Sequence, residues 1–115
     1  MSCIFCRIAA GEIPSSKVHE DELVLAIRDI RPQAPVHLLV LPRRHVASLS
    51  ELDDEKLAGR LLAVAAELAR REKREQGWRL IANSGEHGGQ EVPHLHLHVL
   101  GGRKLGRMLP AAGSG

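Results

Sequence analysis

The chain predicts an α+β fold of about five antiparallel strands with one long and one short helix. Three observations carry that expectation. Strand-like runs follow one another directly instead of alternating with helices, which disfavours a doubly wound sheet. One stretch alone, Asp53 to about Gln76, repeats apolar residues at helical spacing. The 115 residues leave room for one compact domain.

Each element has its own signal. Ser2 is placed to cap a short helix with apolar members Ile4, Phe5 and Ile8, closed by Gly11 with Pro14 beyond. Lys17 to Glu20 and Leu23 to Arg28 read as a hairpin across Glu20-Asp21-Glu22. Two prolines make Arg31 to Pro35 a loop, and His37 to Leu41 is a mostly apolar strand stopped by Pro42. In the long helix Leu57, Leu61, Val64, Ala65 and Leu68 form one stripe, and Gly77 ends it. Trp78 to Asn83 is a strand, Ser84 to Gln90 a glycine-rich loop, and Leu95 to Leu100 the last strand. Residues 1–109 make the domain, and 110–115 a small-residue tail expected to be flexible. One helix stripe on one sheet face gives a two-layer core, small enough to favour a homodimer.

Composition narrows the function. Hydrophobic residues are 43%, charged residues 26%, and the net charge is +2 with acids and bases interleaved. Neither nucleic acid nor a membrane surface is implied. No apolar run approaches the roughly 20 residues that span a bilayer. The start, Met1 to Arg7, lacks the layout of a secretory signal, so a cytoplasmic setting is expected.

The chemistry concentrates in His94-Leu95-His96-Leu97-His98, three of seven histidines. On a strand their rings would share one face, about 6.5–7 Å apart, while Leu95, Leu97 and Val99 enter the core. Three readings are open. The rings are metal ligands, with Asp29 the nearest further candidate. Or the middle ring attacks phosphorus while its neighbours hold phosphoryl oxygens. Or they are polar side chains on a solvated face. The preceding loop, Asn83 to Glu91 with Gly85, Gly88 and Gly89, favours phosphate, because glycine lets backbone N–H groups approach an anion. Cys3 and Cys6 form a CxxC that reads as a disulfide, a redox pair or half a zinc site. A reducing cytoplasm weighs against the first, and the lack of a thioredoxin-like βαβ pattern against the second.

Gly88-Gly89-Gln90-Glu91-Val92-Pro93-His94-Leu95-His96-Leu97-His98-Val99-Leu100-Gly101-Gly102 closely resembles the signature of the histidine triad (HIT) family of nucleotide hydrolases and transferases. The likeness extends to Cys3-Ile4-Phe5-Cys6, Gly11-Glu12-Ile13-Pro14, Asp29 to His37 and Pro42-Arg43-Arg44-His45, and leans toward the Hint branch. The resemblance implies a homodimer of α+β protomers with sheets joined edge to edge. It also implies purine nucleotide substrates of the AMP or GMP type, cleaved as phosphoramidates or acyl-adenylates at the α-phosphorus. His96 would be the nucleophile, forming a nucleotidyl-histidine, and His98 would contact the α-phosphate and bridging atom. His37 would orient the triad, to which His94 also belongs. Asp29 would take the ribose hydroxyls, with Ile30 near the nucleoside. Asn83 and the Gly89-Gln90-Glu91 backbone would hold the phosphate. No cofactor is implied for catalysis. Structural zinc on Cys3, Cys6, His45 and His94 is.

The chain departs from the family pattern at Glu91, where Ser or Thr is common, and at Pro93, where an aromatic is common. Glutamate there would donate a proton or act through its backbone alone. Two other functions compete: a nucleotide-binding regulatory module with incidental catalysis, and a metal hydrolase with the triad as ligands.

Overall fold

A computed structural model describes residues 3–72 and 74–109. Its elements run α1 (Ile4–Ala9), β1 (Lys17–Glu20), β2 (Val24–Arg28), β3 (Val36–Pro42), a 3-10 turn (Leu49–Glu51), α2 (Glu55–Arg71), β4 (Trp78–Ala82) and β5 (Leu97–Gly101). The strands form one antiparallel sheet in the order β1-β2-β3-β5-β4.

Local chemistry explains the helix ends. Ser2, expected to cap α1, lies outside the described residues, and Cys3 is the cap: its Sγ accepts from Cys6 N–H at 3.4 Å. At the other end Gly11 N–H donates to Ile8 O and Glu12 N–H to Arg7 O, with Gly11 at φ +80°. That paired closure needs a left-handed residue, which glycine supplies without strain. Asp54 caps α2 by accepting from Leu57 N–H at 3.0 Å. This helix is shorter than expected, starting at Glu55 and ending at Arg71. Beyond Ala69 the core-facing positions would be Glu72, Glu75 and Gln76, so continuing it would bury nothing apolar.

The core has two faces, which corrects the two-layer expectation. On one, Leu57, Leu61, Val64, Ala65 and Leu68 of α2 pack against Val24, Ala26, Leu38, Val40, Leu97 and Val99. Each fully buried Leu there contributes about 2 kcal/mol. On the other, Phe5, Ile8 and Ala9 of α1 cover Leu25, Ile27, Leu39 and Leu41. The middle strands β2 and β3 are therefore buried on both sides, which is why their sequences are nearly continuous in apolar residues. Asp21 ties the hairpin turn to α2. Its Oδ1 accepts from Leu23 and Val24 N–H, and its Oδ2 from Arg60.

The last strand begins two residues later than expected, at Leu97. His94 N–H donates to Val92 O, a tight turn whose central Pro93 has its φ preset, and Leu95 N–H goes to Val46 O. His94 and His96 thus stand before the ladder begins, although their side chains keep the alternating sense.

Candidate active site

Alternation places His37, Leu39 and His98 on the α1 side of the sheet, since Leu39 pairs with His98 across β3 and β5. α1 covers only part of this face. The rest floors a cavity of about 710 Å³. Asp29, Ile30, His37, Asn83, Gly89, Glu91, His96 and His98 all line it. Its apolar end is made by Ile4, Phe5, Ile8, Ile13 and Ile27. Apolar lining together with polar and titratable groups suits a base attached to a phosphorylated sugar.

The ring nitrogens have assigned duties. His96 Nδ1 donates to the His94 carbonyl at 2.7 Å. The neutral ring then has no proton on Nε2, and that lone pair is free to attack. Phe5 packs against the same ring, edge to face, with centroids 5.0 Å apart. Gln33 N–H donates to His37 Nδ1 at 3.0 Å, so the His37 proton sits on Nε2. That nitrogen is 2.9 Å from His98 Nδ1. His98 Nδ1 is therefore the acceptor, and Nε2 carries its proton. The three groups form a relay that ends in one N–H donor.

Electrostatics reinforce this. Burial pushes the His98 ring down to about 4, and the neighbouring His96 and His37 rings act in the same direction. Burial also lowers His37, opposed by the carboxylate of Asp29, whose Oδ2 is 3.4 Å from His37 Nε2. Both rings are neutral at neutral pH, so the tautomers set by hydrogen bonding are the ones present.

Taken together, the α+β scaffold and this histidine geometry match known proteins. A family model of the HIT domain covers residues 10–105. The chain belongs to the HIT family. Over 113 residues it is 48% identical to the purine nucleoside phosphoramidase of Escherichia coli (strain K12), spanning 96% of this chain and 95% of that protein. A HIT family hydrolase from Legionella pneumophila Philadelphia 1 shares 49% identity at a TM-score of 0.88, covering 91% of this chain and 96% of that one. A histidine triad protein from Clostridium difficile shares 47% at a TM-score of 0.88, covering 93% and 96%.

Not every expected residue of this HIT chain reaches the cavity. His94 does not line it: the ring is fully buried and turns toward the cysteines. Its Nδ1 is 3.3 Å from Cys3 Sγ and 3.6 Å from Cys6 Sγ, and Cys6 Sγ is 3.4 Å from His45 Nδ1. Gln90 also stays out of the cavity. Its side chain braces the loop, accepting from Gly85 N–H and donating to Ala47 O and Val92 O. Gly89 N–H is committed to Glu86 O and Gln90 N–H to Gly85 O. Of the three amides expected on phosphate, only that of Glu91 donates to no protein acceptor among the described residues. Glycine is still required in this loop: a Cβ on Gly88 would lie 2.5 Å from Ser84 O.

The donor set Cys3, Cys6, His45 and His94 fits zinc. A tetrahedron of sulfur and nitrogen around zinc has edges of roughly 3.5 Å. His94 Nε2 donates to Pro42 O at 2.9 Å, leaving Nδ1 unprotonated and aimed at the sulfurs. A ligand histidine is ordinarily oriented in this way.

Sequence reasoning missed Phe5 as a partner of the triad, and also Gln33 N–H and Pro42 O. The last two act through backbone atoms, which carry no residue-type signal.

Proposed function

We propose that the protein is a hydrolase of purine nucleoside phosphoramidates that works through a nucleotidyl-histidine on His96. One observation carries the reading: the His96 Nδ1–H bond to the His94 carbonyl, which frees Nε2 at the edge of a nucleotide-sized cavity. Nε2 attacks the α-phosphorus, the P–N bond breaks, and the amine departs with a proton from solvent. Water then cleaves the Nε2–P bond, releasing the nucleoside monophosphate and restoring the ring. The His98 Nε2–H donates to a phosphoryl oxygen or to the atom bridging phosphorus and the leaving group, and the Glu91 amide is a second donor. Preset donors stabilise the developing charge without a reorganisation cost. Asp29 Oδ1 is held by Arg31 N–H at 2.8 Å, which leaves Oδ2 for the ribose hydroxyls. Ile30 and Asn83 complete the nucleoside and phosphate ends. Acyl-adenylates, with the same α-phosphorus, are substrates of the same kind.

His94 contributes its carbonyl to catalysis and its ring to zinc. Zinc on Cys3, Cys6, His45 and His94 would staple α1 to the sheet, since four protein ligands leave no open position. The relay and nucleophile need no cofactor. A second copy of the chain completes the assembly. β4 has a free edge, and Trp78 and Leu80 on it are each 37% exposed. Beside them Leu49, Leu52, Leu62 and Ala82 line an apolar groove of about 260 Å³. Antiparallel pairing of two β4 edges covers both features with a self-complementary contact. Among the described residues no helix is long and apolar enough to cross a membrane, and the proposal places the enzyme in the cytoplasm.

The deciding experiment incubates the protein with phosphorus-labelled adenosine 5′-phosphoramidate, quenches, and maps the adduct. Label on His96, absent in His96→Ala, supports the scheme. Turnover unchanged in His96→Ala refutes it. AMP binding with no turnover of any phosphoramidate or acyl-adenylate tested would support a regulatory nucleotide-binding module instead.

A further inference from the structure

We propose that Asp29, His37 and His98 form a second metal site, inhibitory and specific for a divalent transition ion, separate from the cysteine cluster. One carboxylate oxygen and two ring nitrogens lie within 4.8 Å of one another. His37 Nε2 is 2.9 Å from His98 Nδ1 and 3.4 Å from Asp29 Oδ2. The donors come from β3, from β5 and from the loop after β2, three segments held independently by the sheet. Two imidazoles with one carboxylate take Zn²⁺ or Co²⁺ and leave positions open. Mg²⁺ and Ca²⁺, which want oxygen ligands throughout, are poorly matched.

At rest His37 carries its proton on Nε2, because Gln33 N–H occupies Nδ1. To bond a metal through Nε2 the ring must hold that proton on Nδ1 instead, giving up the bond from Gln33. The ring stays neutral and no proton is released. His98 Nδ1 is unprotonated and faces His37 Nε2, so a small turn of the two rings aims both lone pairs at one ion, and Asp29 Oδ2 is the oxygen not engaged by Arg31 N–H.

The consequence follows from which atoms the ion takes. It occupies Asp29 Oδ2, the oxygen assigned to the ribose, and it breaks the relay between His37 and His98. It leaves His96 untouched. The ion therefore competes with nucleotide rather than serving catalysis. This inhibitory role rests on the nucleotide reading above; the binding of the ion does not.

The test loads the purified protein with one equivalent of Zn²⁺ to fill the cysteine cluster, then titrates Co²⁺. A second equivalent should bind with visible d–d bands and without the near-ultraviolet charge-transfer band of a thiolate site. Excess AMP should expel it, and it should raise KM for adenosine 5′-phosphoramidate while leaving kcat unchanged. Asp29→Asn should lose this equivalent and keep the zinc. A Cys3→Ser/Cys6→Ser protein, titrated in parallel, should bind one Co²⁺ with the same thiolate-free spectrum. If AMP binds the zinc-loaded protein but Co²⁺ gives no such spectrum even in large excess, the second site does not exist. If Co²⁺ binds as described and AMP neither binds nor competes, the nucleotide reading and the inhibitory role fall together.

Discussion

His37 Nε2 lies 2.9 Å from His98 Nδ1, and the proton between them belongs to His37. One backbone amide, that of Gln33, thereby dictates the tautomer of a ring two steps away. The structural unit is the relay and not the run of three alternating histidines. Removing its middle member has a defined cost. His37→Ala should lower kcat for a phosphoramidate by about 10²-fold, because His98 loses the partner that sets its donor. KM should change little. His37→Gln, whose amide N–H can reach the same acceptor, should recover part of the loss. Steady-state kinetics of the two variants decide this, and an unchanged kcat in His37→Ala would remove His37 from the mechanism.

Acid should destabilise the fold in a predictable window. Burial holds the His98 ring at about 4 and lowers His37 and His94 below the ordinary 6.5. The unfolded chain therefore binds more protons than the folded one between those values, so stability rises with pH there. Thermal melts should give a Tm that climbs from about pH 4 to about pH 6.5 and then levels off. A Tm flat across that interval would mean that these rings are not buried in their neutral form.

Elemental analysis of protein purified without chelator should find one zinc per chain. Stripping it, or replacing Cys6 by serine, should lower the Tm, because structural zinc sites contribute directly to folding free energy. Full stability and no metal in the wild-type protein would leave the cysteines as two inert thiols.

Phe5 is 7% exposed and touches both His94 and His96, with centroids 5.7 Å and 5.0 Å away. Phe5→Ala should cost about 3–5 kcal/mol of stability, measured by denaturant unfolding. Phe5→Leu should restore much of that stability while leaving kcat reduced. Recovery of both together would limit Phe5 to core filling.

Charge placed on the β4 edge should split the assembly. Leu80→Glu puts a carboxylate beside its own copy across the proposed two-fold axis, where like charges repel. Sedimentation should show a dimer for the wild type and a monomer for the variant. A monomeric wild type would remove the second copy from the proposal.

The long helix was legible because its stripe of Leu57, Leu61, Val64, Ala65 and Leu68 repeats over about three turns, more signal than any neighbour could mask. Its C-terminus was less so: Glu72 to Gln76 remain good helix formers, and only the absence of an apolar partner stops them. The short 3-10 turn at Leu49–Glu51 has no such repeat and carries no comparable signal. β3 showed its apolar content, but that both faces are covered depends on where α1 docks. In the site, His96 and His98 stand out by residue type and alternation and His37 by the family resemblance, and all three line one cavity. Gln90 was marked too, yet its amide turns inward to brace the loop.

The residue pattern on its own decided the class of the fold and the alternating run of imidazoles, because these depend on side-chain type and short-range period. Folding alone decided that Phe5 packs against the His94 and His96 rings, and that two of the loop amides are spent within the loop. It also decided which nitrogen of each ring holds the proton. The last two outcomes depend on carbonyls and amides brought together by the fold, and every residue carries the same backbone.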